Sequence, residues 1–260
     1  MKIAILYICT GKYGVFFPDF YASCEKYFLP EAEKTYFVFS DHREFAEYPK
    51  VRFSYKECQG FPKDSLFRFD DFVSVRKEIL EHDYAYFFNS NMLFVEPVGE
   101  EFLPKGEKLT AVLHPYYVKR WPCVMPYERN KASWAYVAPY EGDYYYFMGG
   151  VNGGRSEAFV EFAEECSRRV HEDYEKGIVA VFHDESMLNR YMRDVKGEAL
   201  PPVYGYPEGA ELPFEAKVII RDKTKVDPYF RKDHKAYTLW EKFLKGCRIA
   251  WNVVRWYLKF

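Results

Sequence analysis

Three short stretches carry side chains whose types and spacing could do chemistry. His183-Asp184-Glu185-Ser186 sets two carboxylates side by side where the apolar run Ile178–Phe182 gives way to helix-periodic residues. A carboxylate beside a sugar's anomeric carbon can stabilise or trap an oxocarbenium-like centre, while one in a first helical turn can simply cap backbone N–H groups. Asn89-Ser90-Asn91 ends the apolar run Tyr84–Phe88 with two amides two residues apart. Asp-x-Asp at that place could hold a divalent cation against a diphosphate, but neutral amides bind hard cations weakly, so no metal is expected and turn chemistry stays open. Tyr144-Tyr145-Tyr146-Phe147-Met148-Gly149-Gly150 leads through Val151-Asn152 to Gly153-Gly154, glycines that would let a backbone approach a ligand. The stretch has neither a P-loop lysine nor GxGxxG spacing, so a phosphate cradle and a tight turn both fit it.

Something must position these groups, and apolar runs alternating with helix-periodic segments indicate an α/β fold with a mostly parallel sheet covered by helices. The spacing predicts strands at Ile3–Ile8, Thr35–Phe39, Tyr84–Phe88, Leu109–Leu113, Tyr144–Phe147, Ile178–Phe182 and Val218–Ile220, several of them apolar on both faces. It predicts a helix through Phe69, Phe72, Val73, Arg76, Ile79 and Leu80, and another through Phe159, Phe162, Ala163, Cys166 and Val170. A third is expected to be capped by Asp184, to bury Met187, Leu188, Tyr191 and Met192, and to end at Gly197. Leu200–Pro213, with four prolines, reads as a surface loop. In this arrangement the amides and the carboxylates emerge at the carboxyl edge of the sheet, where α/β proteins usually bind ligands.

Composition narrows the function classes. A chain of 260 residues suits one large domain, or a domain with an appendage. Lys plus Arg number 37 and Asp plus Glu 39, and with 48% hydrophobic residues this excludes general disorder. The 24 Tyr, 24 Phe and 5 Trp supply core area and also stacking faces for sugars or bases. Six scattered cysteines without a CxxC pair indicate neither a zinc site nor a disulfide framework. The opening run is too short to span a membrane and lacks a small-residue cleavage site, so a reducing, cytoplasmic setting is expected.

The tail differs from the rest. From Lys235 onward six bases meet Glu241 alone, a local charge of +5 that leaves residues 1–234 at −7. Residues 1–235 therefore read as the main domain and 236–260 as a basic, aromatic amphipathic helix. On that helix Leu239, Phe243, Cys247, Ala250 and Val254 share a face with Trp240, Leu244, Trp251 and Leu258, while Lys245, Arg248, Arg255 and Lys259 gather opposite. Such a helix can lie on an anionic membrane surface, peripheral to the inner face, or dock on its own domain. Nucleic acid is not an expected partner, because the body of the chain is acidic.

Several further segments join the three stretches in a fixed order: Tyr7-Ile8-Cys9-Thr10-Gly11-Lys12-Tyr13, His114-Pro115, Tyr127-Glu128-Arg129, the Met148-Gly149-Gly150 stretch, His183-Asp184-Glu185-Ser186 with Leu188-Asn189, and Ile219-Ile220-Arg221-Asp222-Lys223. Read together over about residues 1–232 they resemble glycosyltransferase family 6, which includes the histo-blood-group A and B transferases and α1,3-galactosyltransferase. Animal members carry Asp-Val-Asp where this chain has Asn89-Ser90-Asn91; bacterial and phage members carry Asn-x-Asn and work without metal.

The resemblance implies a GT-A type fold and retaining transfer of galactose or N-acetylgalactosamine from a UDP-sugar to O3 of an acceptor galactose, often one bearing fucose. It implies that the Ile8 and Cys9 backbone and the Tyr13 ring hold uridine, and that Arg68, Asn89 and Asn91 contact the donor. Lys223 and Arg231 would neutralise the diphosphate in place of a cation, since the leaving UDP gathers negative charge. Glu185 matches the catalytic glutamate, as nucleophile or as support for a front-face path, and Asp184 would organise the donor sugar. His114, Phe182 and Glu185 fall on the acceptor side, Phe182 where family members often carry tryptophan. Met148-Gly149-Gly150 occupies the stretch that sets donor choice, and hydrogen alone at Gly150 leaves room for an acetamide. UDP-GalNAc is thus the expected donor, with UDP-Gal, or a non-catalytic glycan- or nucleotide-binding protein, as alternatives.

Overall fold

Residues Ile3 to Tyr7, all inaccessible to solvent, lie in the middle of a seven-stranded sheet in the computed structural model, which describes residues 1–106, 108–233 and 238–258. The chain forms β1 (Lys2–Ile8), α1 (Phe17–Tyr27), β2 (Glu33–Ser40), β3 (Val51–Tyr55), α2 (Lys63–Leu66), α3 (Arg68–Ser74), α4 (Arg76–Ile79), β4 (Tyr84–Phe88) and β5 (Met92–Phe94). It continues through β6 (Leu109–Leu113), β7 (Phe147–Arg155), α5 (Ser156–Glu175), α6 (His183–Asp194), β8 (Glu198–Leu200), β9 (Tyr206–Pro207), β10 (Val218–Ile220), α7 (Lys223–Val226) and α8 (Leu239–Leu258).

The sheet order is β3-β2-β1-β4-β7-β6-β8, with β7 antiparallel to both its neighbours and the other pairs parallel. This is the expected α/β architecture. Alternation along β1 sends Ile3, Ile5 and Tyr7 to a core shared with Phe17, Phe20 and Phe28, while Ala4 and Leu6 join Phe69, Phe72, Phe159 and Phe162 on the other face. Aromatic rings dominate both layers; Tyr7 stacks on Phe20 with centroids 4.3 Å apart. A small sheet of order β5-β10-β9 lies beside the main one.

Several expected elements differ. Tyr144–Phe147 is not the strand; β7 begins at Phe147 and its glycines lie inside the sheet. A Cβ at Gly153 would stand 2.2 Å from the Tyr86 ring, and one at Gly154 2.3 Å from the Lys108 carbonyl oxygen, so these glycines admit neighbouring strands and make no turn. Ile178–Phe182 is not a strand, for Val179, Val181 and Phe182 face solvent and only Ala180 is buried. The single helix expected near 69–80 is divided into α3 and α4, because Val75 leaves helical geometry at φ −115° and ψ 19°. Asp184 does not cap α6: the Phe182 N–H donates instead to Ser186 Oγ at 3.0 Å. Helix α6 stops at Asp194, and Gly197 follows it. Within the expected loop Leu200–Pro213, Tyr204 is buried with its ring 4.9 Å from Phe102, and β9 pairs with β10.

The expected boundary at 235/236 and Lys259 lie outside the described residues. Helix α8 returns to the main body through Trp256, which joins Cys123, Met125, Tyr127, Val137 and Tyr146 in a third apolar cluster. No helix among the described residues is long and apolar enough to cross a membrane.

Candidate active site

Strand β4 ends beside the first half of β7, its antiparallel neighbour at the centre of the sheet, and this brings the amides to the glycines. The Asn89 N–H donates to the Gly150 carbonyl at 2.8 Å. The first turn of α6 then meets the start of β7. Glu185 Oε2 accepts the Gly149 N–H at 2.8 Å, and Oε1 accepts the Tyr146 hydroxyl at 2.7 Å. Gly149 favours this approach, since a Cβ there would lie 3.0 Å from both Asp184 Oδ2 and the Glu185 Cβ, tighter than such contacts ordinarily come. One turn along α6, Asn189 exchanges hydrogen bonds with the Phe147 N–H and carbonyl at 2.9 and 2.8 Å, which clips the helix to the strand.

The two adjacent carboxylates have different partners. Asp184 is buried and pairs with the Arg68 guanidinium at 3.1 Å, and that guanidinium lies 4.7 Å over the Phe87 ring. Burial pushes the Asp184 carboxyl up and Arg68 draws it back down. Glu185 is pushed up to about 7, mainly by burial, against the hydrogen bonds from Tyr146 and Gly149 that favour its ionised form. A fixed carboxylate that changes charge near neutrality in a cleft is what acid, base or nucleophilic chemistry requires.

The amides do different jobs as well. Asn89 Nδ2 donates to Asn91 Oδ1 at 3.0 Å, and Asn91 Nδ2 donates to the Arg221 carbonyl at 2.9 Å. Asn91 is thereby a buried brace between the main sheet and the segment after β10, while Asn89 stays partly exposed next to Gly150. As a cation site the pair fits poorly, because both oxygens are neutral and one already accepts an amide proton.

At the nucleotide end Ile8 closes β1 and Cys9 is buried, its N–H given to the Phe39 carbonyl and its carbonyl taken by Ser40 Oγ. Tyr13 and Lys223, 210 residues apart, meet through Lys223 Nζ donating to the Tyr13 hydroxyl at 2.9 Å. Asp222 caps α7 by accepting the Thr224 N–H, which fixes where Lys223 starts. Arg231 is exposed and donates to the Thr224 carbonyl at 3.1 Å. Met148 is buried, and it bears on the cleft through Gly150: its methyl would stand 2.9 Å from a Cβ there.

The opposite wall is aromatic. His114 donates its N–H to the Tyr146 carbonyl at 2.8 Å, and its ring lies 4.8 Å from that of Tyr117. Burial pushes His114 down to about 4, so the ring is neutral at pH 7. With Nδ1 accepting the Tyr116 N–H at 3.3 Å, Nε2 is the protonated nitrogen and can donate to a hydroxyl. A cleft of about 280 Å³, lined by Leu113, Tyr117, Met125, Tyr144 and Tyr146 among others, adjoins it. Tyr146 thus belongs both to the cleft and to Glu185. Phe182 is half exposed, just ahead of His183, which takes a left-handed φ of 48°.

Tyr146, Asn189 and Tyr117 are site residues that sequence reasoning gave no role. Asn189 stands in the His183-Asp184-Glu185-Ser186 stretch at helical spacing from Glu185, which was a usable signal. Tyr146 is one of three consecutive tyrosines, and nothing local singles it out.

Residues 1–226 match the sequence profile of glycosyltransferase family 6. The chain is 36% identical over 231 residues to the O-antigen biosynthesis glycosyltransferase WbnI of Escherichia coli, covering 88% of this chain and 98% of that protein. It is 30% identical over 231 residues to the globoside alpha-1,3-N-acetylgalactosaminyltransferase 1 of Homo sapiens, covering 84% of this chain and 65% of that protein. It is also 30% identical over 201 residues to the histo-blood group ABO system transferase 2 of Rattus norvegicus, covering 73% and 58% respectively.

Proposed function

The chain belongs to glycosyltransferase family 6, and from that premise we propose that it is a metal-independent, retaining hexosyltransferase using UDP-GalNAc. It would transfer N-acetylgalactosamine in α1,3 linkage to a galactoside of a cell-surface glycan, fucosylated galactosides included, from the cytoplasmic side of a membrane. Glu185 carries this reading. Its two oxygens are fixed by Tyr146 and Gly149, and the neighbouring Asp184 is held by Arg68, so one carboxylate can face a reacting anomeric carbon while the other orients the donor sugar. Retention follows either from two displacements, Glu185 attacking that carbon as its bond to UDP breaks and the acceptor oxygen then displacing Glu185 as its proton passes to the departed diphosphate, or from Glu185 steadying an oxocarbenium-like centre while UDP leaves and the acceptor enters on the same face, its proton again passing to the diphosphate.

Lys223 beside Tyr13 supports a metal-free pyrophosphate site, with Arg231 as a second cation, because no carboxylate stands at Asn89 or Asn91 to recruit an ion or repel phosphate. His114, neutral with a proton on Nε2, suits a hydroxyl of the acceptor, next to the exposed ring of Phe182. The human globoside alpha-1,3-N-acetylgalactosaminyltransferase and the Escherichia coli O-antigen glycosyltransferase favour N-acetylgalactosamine and a surface polysaccharide. UDP-Gal is the second reading, favoured by the Met148 methyl group, which already fills part of the space over Gly150.

The test offers purified protein both UDP-sugars with plain and fucosylated galactosides, with and without EDTA. Transfer from UDP-GalNAc with an α product, unchanged by EDTA, is expected; strict Mn²⁺ dependence defeats the metal-free assignment. Glu185→Gln should lower turnover at least ~10³-fold while sparing UDP binding. UDP binding by a wild-type protein that transfers nothing would leave a non-catalytic binding protein.

A further inference from the structure

Helix α8 has two apolar faces, and the protein body covers one of them. At about 100° per residue, Val253 and Trp256 fall on one narrow side. That side docks: the Trp256 ring meets Tyr144 at 4.9 Å, and the Arg129 guanidinium stands 4.4 Å over it. Trp240, Phe243, Leu244, Trp251, Val254 and Leu258 fall on a second, broader side spanning roughly 100°. All six are exposed, Trp240 at 65% and Trp251 at 57%. An apolar stripe of this length left in solvent marks an interaction surface.

The charges beside the stripe identify the occupant. Arg255 and Arg248 border one edge of the stripe, and Lys242 and Lys245 lie on the far side of the helix, against Glu241 as the one acid of the helix. A second, separate feature lies next to it. Trp121 is 74% exposed, follows Lys119 and Arg120, and directly precedes the turn Pro122–Val124 on which α8 packs. Apolar area with indole rings, rimmed by cations, complements the acyl and headgroup layers of an anionic bilayer; a purely apolar partner would leave the cations without counter-charges.

We propose that α8 and the Trp121 loop dock this protein on an anionic membrane surface, with Trp256 and Arg129 holding the aromatic cleft beside the lipid. The stripe of α8 lies in the interface while the cleft that contains Tyr146 lies behind the docked side of the helix, so an acceptor carried on a lipid reaches the site across about one helix diameter, roughly 10 Å. That last consequence rests on the transferase reading. Docking itself does not depend on which sugar is moved, so the two tests fail separately.

Full-length protein is sedimented with vesicles of phosphatidylglycerol and phosphatidylcholine, and with vesicles of phosphatidylcholine alone. Binding to the anionic vesicles, weakened by salt, is expected. Phe243→Asp with Trp251→Asp should abolish it without changing turnover on a soluble galactoside, and Arg248→Ala with Arg255→Ala should lower the partition coefficient roughly tenfold or more. Equal binding by the stripe variant, or no binding by the wild type, overturns the proposal. A wild-type dimer that the stripe variant dissolves, with no vesicle binding, also overturns it and assigns the stripe to a second copy of the chain.

Discussion

At the carboxylate end of the cleft Asp184 is neutralised by Arg68 and Glu185 is held by Tyr146 and Gly149, whereas around the aromatic wall Tyr116, Trp121 and Tyr145 leave large rings in solvent. The first end gains from fixed geometry, because a reacting group displaced by a fraction of an ångström loses its advantage. The second gains from adaptable apolar surface, which binds through area and tolerates displacement. Tyr146 joins them: its hydroxyl serves Glu185, and its ring lies 5.1 Å from that of Tyr117 in the cleft.

The comparison breaks most visibly in stability. Arg68→Ala leaves Asp184 as a buried carboxylate without its cation, and removing one member of such a pair costs about 3–5 kcal/mol. Trp121→Ala removes a larger side chain but one already in water, and should stay within about 0.5 kcal/mol of the wild type. Urea denaturation of both variants gives the contrast directly. Equal losses would mean that the carboxylate end is not the rigid one.

The doubly buried strands β1 and β4 were legible because their residues are apolar whichever way they point, and Glu185 was legible through its place at the opening of a helix. Gly153 was not legible as a strand residue, since the cause of the glycine is the Tyr86 ring on the adjacent strand, 67 positions away in the chain. Val179, Val181 and Phe182 mimic a buried strand as part of an unbroken apolar run, yet they stay exposed. The tail was legible as amphipathic, and one of its expected fates is visible, since Trp256 docks on the domain while the broader stripe stays exposed. Which face the body covers depends on Tyr144 and Arg129, and no count of residues within the tail could supply that.

A smaller effect sharpens the carboxylate end itself. Glu185 ordinarily titrates at 4.5 and is pushed up to about 7 in the folded protein, so the folded state binds the proton more tightly than the unfolded chain does. Its contribution to stability is fully present below 4.5 and is lost as pH rises through about 7. The total is up to ~3 kcal/mol. Glu185→Gln removes the charge, so it should unfold at a higher temperature than the wild type at pH 8 and lose that advantage near pH 4.5. Calorimetry at the two pH values checks the sign, and a variant that is less stable at pH 8 would show that the carboxylate is not held against its own desolvation.

The smallest expected effect lies where the two ends of the donor pocket meet. Gly149 and Gly150 are successive residues of β7, so they face opposite sides of the strand: Gly149 toward Asp184 and Glu185, Gly150 toward Asn89 and Met148. Gly150→Ala places a methyl 2.9 Å from the Met148 methyl and 3.5 Å from the Asn89 Cβ, and the flexible end of Met148 can yield where the strand cannot. On the proposed donor reading the added carbon takes the space meant for an acetamide, and it leaves the carboxylates untouched. Preference for UDP-GalNAc over UDP-Gal should therefore fall by roughly tenfold, the scale on which one methyl group discriminates in an apolar pocket, with turnover of UDP-Gal preserved. The ratio of kcat/KM for the two donors measures it. Equal loss with both donors would move the determinant to Gly149, at the rigid end, and would make donor choice a property of the carboxylates.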